Sequence, residues 1–173
     1  YKFGGEYEMK LMIAGAWDET DKKLLEVAYQ IAKMAAEMSH IVITGGGTGI
    51  PSAATQGALA ADGICIAYSN EGHCESTPEP ATFRVATEMG WDGRSVLAVK
   101  SCDVLIVLGG CNGTLNEITL AYLNNIPIWI LRDSSEMISR LHSFLYLGKY
   151  MDERKNVEIE FFDSVQDLSL IHI

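Results

Sequence analysis

Two residues of this chain have types and spacing that could do chemistry together, Arg94 and Glu117. A guanidinium holds phosphate oxygens through paired hydrogen bonds. A carboxylate can accept from ribose hydroxyls, or stabilise the oxocarbenium ion that develops as a glycosidic bond breaks. Between them runs Val104-Leu105-Ile106-Val107-Leu108, an unbroken apolar stretch, followed by Gly109-Gly110-Cys111-Asn112-Gly113-Thr114. Such an apolar run reads as a strand buried on both faces of a parallel sheet. The glycines let the backbone turn sharply and come close to a ligand. A helix opening near Thr114 then presents free N–H groups and the positive end of its dipole, which suits an anion, most often a phosphate.

A second turn of this kind, Gly45-Gly46-Gly47-Thr48-Gly49, directly follows another apolar strand. The candidate catalytic pair is therefore Arg94 and Glu117. The candidate ligand-binding residues are Gly15, at the end of the first strand, with Gly45, Gly46, Gly47, Thr48 and Gly49 in one turn. Gly109, Gly110, Asn112, Gly113 and Thr114 supply the other, Thr114 both capping the helix and donating to phosphate. Plainer readings compete. Any parallel α/β fold needs glycine-bearing turns, Arg94 suits the surface of an amphipathic helix, and an acid one turn into a helix complements its dipole without further function. Trp17 either stacks on a base or caps the core. Cys111 has no base paired with it and reads as a small turn residue. His40, His73 and His142 have no motif partners and suit structural or surface roles.

The elements that must position these residues alternate regularly. Strand-forming stretches at 10–16, 41–44, 64–68, 104–108, 127–131 and 157–161 are interleaved with helical stretches at 21–39, 52–61, 92–101, 114–124 and 134–147. Residues 83–87 suit a short additional strand. Thr20 or Asp21 caps the first helix, and Pro51 fits a first helical turn, where its missing N–H costs nothing. Residues 69–80, polar with two prolines, are the longest irregular stretch and suit a flap. Strand–helix alternation with right-handed crossovers predicts an α/β fold: one domain, residues 9–167, with a doubly wound, Rossmann-like parallel sheet of about six to seven strands.

Composition narrows the function. A chain of 173 residues with 48% apolar and 21% charged residues is an ordinary globular domain. A formal net charge of −10 and the lack of any Lys/Arg run argue against nucleic acid as a partner. No stretch has the roughly 20 apolar residues of a membrane span, so no membrane partner is expected. Four cysteines without C-x-x-C spacing read as reduced thiols of a cytoplasmic protein. His73-Cys74 with Glu75 lacks a matching second pair, so no metal site is expected. The first strand is followed by Ala14-Gly15-Ala16-Trp17-Asp18 rather than G-x-G-x-x-G, and the second ends in Thr44-Gly45 rather than an acid. Both features exclude an ordinary dinucleotide site. The absence of Gly-Lys-Ser/Thr excludes a Walker loop.

The ends invite a separate reading. Met9-Lys10 precedes the first strand, so Met9 suits the natural start. Residues 1–8 then read as translated upstream sequence, Gly4-Gly5 being what GGAGGA encodes in frame. Residues 168–173, Leu-Ser-Leu-Ile-His-Ile, are similar to the translation of a transposase sequencing adapter, which would place the natural end after about Asp167.

The chain resembles the lonely-guy family, often mislabelled as lysine decarboxylases. Its relatives include the molybdenum-cofactor carrier proteins and a large bacterial group of unassigned function. The resemblance rests on Gly45-Gly46-Gly47-Thr48-Gly49 for the family's G-G-G-x-G, on Arg94 for its arginine, and on Gly110 to Glu117 for its P-G-G-x-G-T-x-x-E. Gly109 replaces the motif proline, Cys111 one of its glycines, and Ser95 the lysine usual in the hydrolases. The resemblance implies a homodimer that binds a nucleotide or other phosphate-bearing small ligand and requires no cofactor for that. Two alternatives follow from it. One is a phosphoribohydrolase that cleaves the N-glycosidic bond of nucleoside 5′-monophosphates through Arg94 and Glu117. The other is a carrier of molybdopterin-type cofactor, since loss of the lysine looks more like the carrier and unassigned branches.

Overall fold

The computed structural model describes residues 9–70 and 81–171. Its elements run β1 (Lys10–Gly15), α1 (Lys22–Glu37), β2 (Ile41–Thr44), α2 (Gly49–Ala60), β3 (Cys65–Ser69), β4 (Phe83–Ala86), α3 (Gly90–Ser101), β5 (Val104–Leu108), α4 (Asn112–Leu123), β6 (Ile128–Leu131), α5 (Glu136–Phe144), β7 (Ile159–Phe162) and α6 (Val165–Ile171). The seven strands form one sheet in the order β4-β3-β2-β1-β5-β6-β7, every pair parallel. The expected doubly wound α/β architecture is present, with the strand count at the upper end of the expected range.

The two faces of the sheet are covered by different helices. Leu11 and Ile13 of β1 pack with residues of α1 and α2, such as Ile31 and Ala54. Met12 and Ala14 point the other way, into a core shared with Val99 of α3 and Ile118 of α4. This is the alternation a strand imposes on successive side chains. All five residues of β5 are buried, as an apolar run between two helical layers requires.

Several element boundaries differ from the sequence-based expectation, and the reasons are local. Asp21 is the N-cap of α1, its carboxylate accepting from Lys23 N–H at 2.9 Å. Helix α2 begins at Gly49 rather than Ser52, and α4 at Asn112 rather than Thr114. In both, the end of the glycine turn is already helical. Thr114 therefore does not cap α4; Cys111 occupies that position without a side-chain cap bond. Helix α5 is shorter than expected. Ser135 accepts from Ile138 N–H at 3.3 Å and caps it, and Leu145 leaves it in an extended conformation.

Leu168, placed just past the expected end of the fold, is 1% exposed and packs in the α1–α2 core. Its side chain is part of the packed body. Residues 1–8 and 71–80, including His73, Cys74, Glu75 and most of the expected flap, lie outside the described residues. Among the described residues, no helix is long and apolar enough to cross a membrane.

The strand order fixes where a site can form. The chain winds from β1 outward to β4, then returns to lay β5 on the other side of β1, with Gly15 opposite Leu108 at their carboxyl ends. At that reversal the connections leaving adjacent strands diverge and open a crevice.

Candidate functional site

A cleft of about 910 Å³ opens at this reversal. Its walls carry Gly15 from the end of β1, Gly45 and Gly46 from the first glycine turn, Arg94 from α3, and Asn112, Gly113, Thr114 and Glu117 from α4. The fold thus brings together residues from four separate segments of the chain.

Arg94 and Glu117 lie against each other inside it. Arg94 Nη1 is 3.9 Å from Glu117 Oε1, and their side chains are only 12% and 8% exposed. The solvated surface position considered for Arg94 is thereby excluded. Glu117 sits beyond the first turn of α4, which contains no acid, so complementing the helix dipole does not account for it. Ser95 Oγ donates to Glu117 Oε1 at 3.0 Å, and both residues are buried. Ser95, not assigned a role from sequence, is thus the direct partner of the carboxylate. Its signal was the departure from the family lysine. A hydroxyl fills that place with one hydrogen bond and no charge.

Burial dominates the electrostatics of the pair. It pushes the Glu117 carboxyl above its ordinary range, while the Arg94 charge and the Ser95 hydrogen bond pull it partly back. Burial likewise pushes Arg94 below the ordinary arginine value, with Glu117 opposing the shift. Arg94 Nε is buried without a hydrogen-bond partner among the described residues. A buried, under-satisfied guanidinium has donor capacity left for an anion.

The two glycine turns are built differently. In the first, Gly45 passes so close to the Arg94 guanidinium that a Cβ would overlap it. Gly49 adopts a φ of 61°, and a Cβ there would strike the backbone of Ala16 and Trp17. Thr48 Oγ1 donates to Trp17 O at 2.5 Å, and Ile50 N–H donates to Ala16 O at 3.0 Å. Thr48 and Gly49 therefore tie the start of α2 to the end of β1, and neither they nor Gly47 line the cleft.

In the second turn, Gly109 N–H donates to Ser134 Oγ at 2.8 Å, and Ser135 Oγ donates to Gly110 O at 3.1 Å. The loop after β6 braces this turn from behind, so Gly109 and Gly110 are buried and neither lines the cleft. Gly110, at a φ of 93°, carries the chain beneath Thr114. Asn112 and Gly113, by contrast, are exposed in the first turn of α4, and a Cβ on Gly113 would meet nothing within 4 Å among the described residues. An uncapped helix start with a bare position facing a cleft leaves backbone N–H groups accessible to an anion.

Two further wall residues are aromatic. Trp17 and Trp91 line the cleft and are 60% and 59% exposed. Trp17 is therefore not a cap on the core.

Comparison with known proteins places the chain in a family and a fold. The family model of the SLOG cluster4 family matches residues 8–159. An uncharacterized protein of Archaeoglobus fulgidus is 36% identical over 117 residues, covering 65% of this chain and 75% of that protein. Among solved structures, the structural-genomics target TM1055 superposes with a TM-score of 0.87 at 25% identity, covering 95% of this chain and 98% of that one. The molybdenum cofactor binding protein of the phototrophic bacterium Rippkaea orientalis superposes with a TM-score of 0.76 at 26% identity, covering 94% and 93%. The family match over most of the chain agrees with the lonely-guy resemblance: this protein belongs to the SLOG cluster4 family.

Proposed function

We propose that this protein binds a nucleotide or another phosphate-bearing small ligand in the cleft at the carboxyl edge of its sheet. The observation that carries this reading is the largely buried Arg94 in one cleft with the uncapped start of α4, its Nε without a hydrogen-bond partner among the described residues. In it, the phosphate lies between the Arg94 guanidinium and the N–H groups of Asn112, Gly113 and Thr114. Gly45, Gly46 and Gly15 line the same cleft, Gly45 directly against the guanidinium. Thr48, Gly47, Gly49, Gly109 and Gly110 act on the ligand indirectly, by holding the two turns in place.

Two uses of that binding are supported by different observations. The pairing of Arg94 with Glu117 supports a phosphoribohydrolase acting on nucleoside 5′-monophosphates. There the arginine clamps the phosphate and the carboxylate stabilises positive charge developing on the sugar. Ser95 in the lysine's place, and the likeness to the Rippkaea orientalis protein, support a carrier. A molybdopterin-type compound fits the donor set, because its phosphate would meet the same guanidinium and helix start. A charge of −10 favours a small ligand over nucleic acid. A homodimer and a cytoplasmic location complete the proposal.

Native mass spectrometry of the purified protein tests the shared reading. A co-purifying phosphate-bearing compound that is lost in Arg94→Ala supports it. Incubation with nucleoside 5′-monophosphates, watching for free base, separates the two uses. Failure of every phosphate compound to bind would sink the reading.

A further inference from the structure

Trp17 and Trp91 are exposed aromatic residues facing a cleft, although Trp is a residue that proteins ordinarily bury over most of its area. The chain's other tryptophan, Trp129, is 6% exposed within the core. The exposure of the first two does not come from loose backbone. The Trp17 carbonyl accepts from Thr48 Oγ1, and Gly49 leaves room for its backbone against the start of α2. The peptide is pinned while the ring is left in the cleft. Trp91 lies in the first turn of α3, one turn before Arg94 and Ser95, so its ring shares their helix face. The Arg94 guanidinium stands 5.6 Å from the Trp91 ring centroid, within cation–π range. Both tryptophans thus stand on the wall of the cleft that holds the phosphate-binding arrangement proposed above, Trp91 with its ring beside Arg94.

We propose that Trp17 and Trp91 are a recognition platform for a planar heteroaromatic ring, so that the ligand is a bicyclic base or pterin carrying an anionic group. The inference rests on the proposed cleft reading and deepens it. Arg94 and the start of α4 take the anion, and the tryptophans take the ring. Stacking on indole suits any such bicycle because each has a π-face, so the platform selects for a ring, and the choice among rings lies with other wall residues. A sugar phosphate without a ring would lose this part of the binding.

The test is calorimetric titration with AMP, with 6-hydroxymethylpterin, which has a ring and no phosphate, and with ribose 5-phosphate, which has a phosphate and no ring. Wild type is compared with Trp17→Ala, Trp91→Ala and the double variant, with Trp91→Phe retaining a ring beside Arg94. The expected result is that AMP, the pterin or both bind. Each alanine variant then weakens ring-compound binding about tenfold, and Trp91→Phe weakens it less. Affinity for ribose 5-phosphate stays unchanged in Trp17→Ala. Ring binding lost in the double variant, with no binding of ribose 5-phosphate to wild type, would keep the platform while removing the phosphate reading. Ring compounds that fail to bind, or bind equally well to the double variant, overturn the proposal. Tryptophan emission that shifts with protein concentration in the absence of ligand would also overturn it, by assigning the two rings to contact between copies of the chain.

Discussion

The Cα of Gly45 faces the Arg94 guanidinium so closely that a single added methyl group would overlap it. The first glycine turn and the arginine of α3 are therefore one unit, although 49 positions separate them in the chain. The same contact shows what glycine does at the start of the turn after β2: any larger residue there has to displace the guanidinium.

Gly45→Ala should accordingly push the guanidinium away from Glu117 and weaken ligand binding. Gly113→Val makes the complementary test. An added Cβ there meets no described atom within 4 Å, and the position lines the cleft where the anion is proposed to bind. Helix propensity slightly favours valine over glycine, so the fold should not be destabilised. Calorimetry should show binding abolished in a protein whose melting temperature is nearly that of wild type. Unchanged affinity in Gly113→Val would take the start of α4 out of the site.

Glu117 gives the fold a pH dependence of predictable sign. Burial raises its carboxyl above the ordinary value of 4.5, despite Arg94 and Ser95. A group raised on folding contributes stability that is fully present below 4.5 and is lost as pH climbs through its folded value. Denaturant melts of wild type should therefore lose stability relative to Glu117→Gln as pH rises from 4.5 toward neutrality. Identical slopes for the two proteins would show that the carboxyl is not held up by burial. Ser95→Ala should steepen the wild-type loss and cost about 1–3 kcal/mol near neutral pH, because it leaves a buried carboxylate oxygen without its donor.

The parts of this architecture that were legible in the sequence are those written in local pattern. The uninterrupted Val104–Leu108 run marks the central strand, and the two glycine turns mark where strands give way to helices. The order of elements then places both turns at one edge of the sheet. What could not be read was set by contacts distant in sequence. Gly109 looks like a phosphate-loop glycine, yet its N–H is committed to Ser134. Thr48 and Gly49 look like ligand contacts, yet they serve Trp17 and Ala16. Ser95 looks like a mere departure from a motif, yet it is the hydrogen-bond partner of Glu117. Helix starts were misplaced for a related reason: a glycine-rich turn hides the first helical residues, which carry no capping side chain in either α2 or α4.

Leu168 supplies a stability test at the end of the chain. Its side chain packs in the α1–α2 core at 1% exposure. Leu168→Ala should cost about 2–4 kcal/mol, a fall of roughly 4–15 °C in melting temperature for a domain of this size. Ending the chain at Asp167 should cost at least as much. An unchanged melting temperature in both variants would show that α6 contributes nothing to the core.

The decisive comparison concerns Arg94 and Glu117 together. An arginine held to a phosphate forms charge-assisted bonds about twice as strong as neutral ones, so Arg94→Ala should weaken binding at least tenfold. It also leaves Glu117 buried without its countercharge, which costs up to about 3–5 kcal/mol. Binding must therefore be measured below the variant's own melting transition. Glu117→Gln separates the two uses of the site. In a phosphoribohydrolase the carboxylate acts where positive charge develops on the sugar, so the substitution should reduce base release far more than affinity. In a carrier there is no turnover to lose, and the same change should only shift affinity. Base release by wild type that disappears in Glu117→Gln, with substrate still bound, establishes the enzyme. Tight binding without release from any nucleoside 5′-monophosphate establishes the carrier. Binding indifferent to both substitutions would leave the pair a buried structural contact, and the ligand would have to be sought elsewhere on the fold.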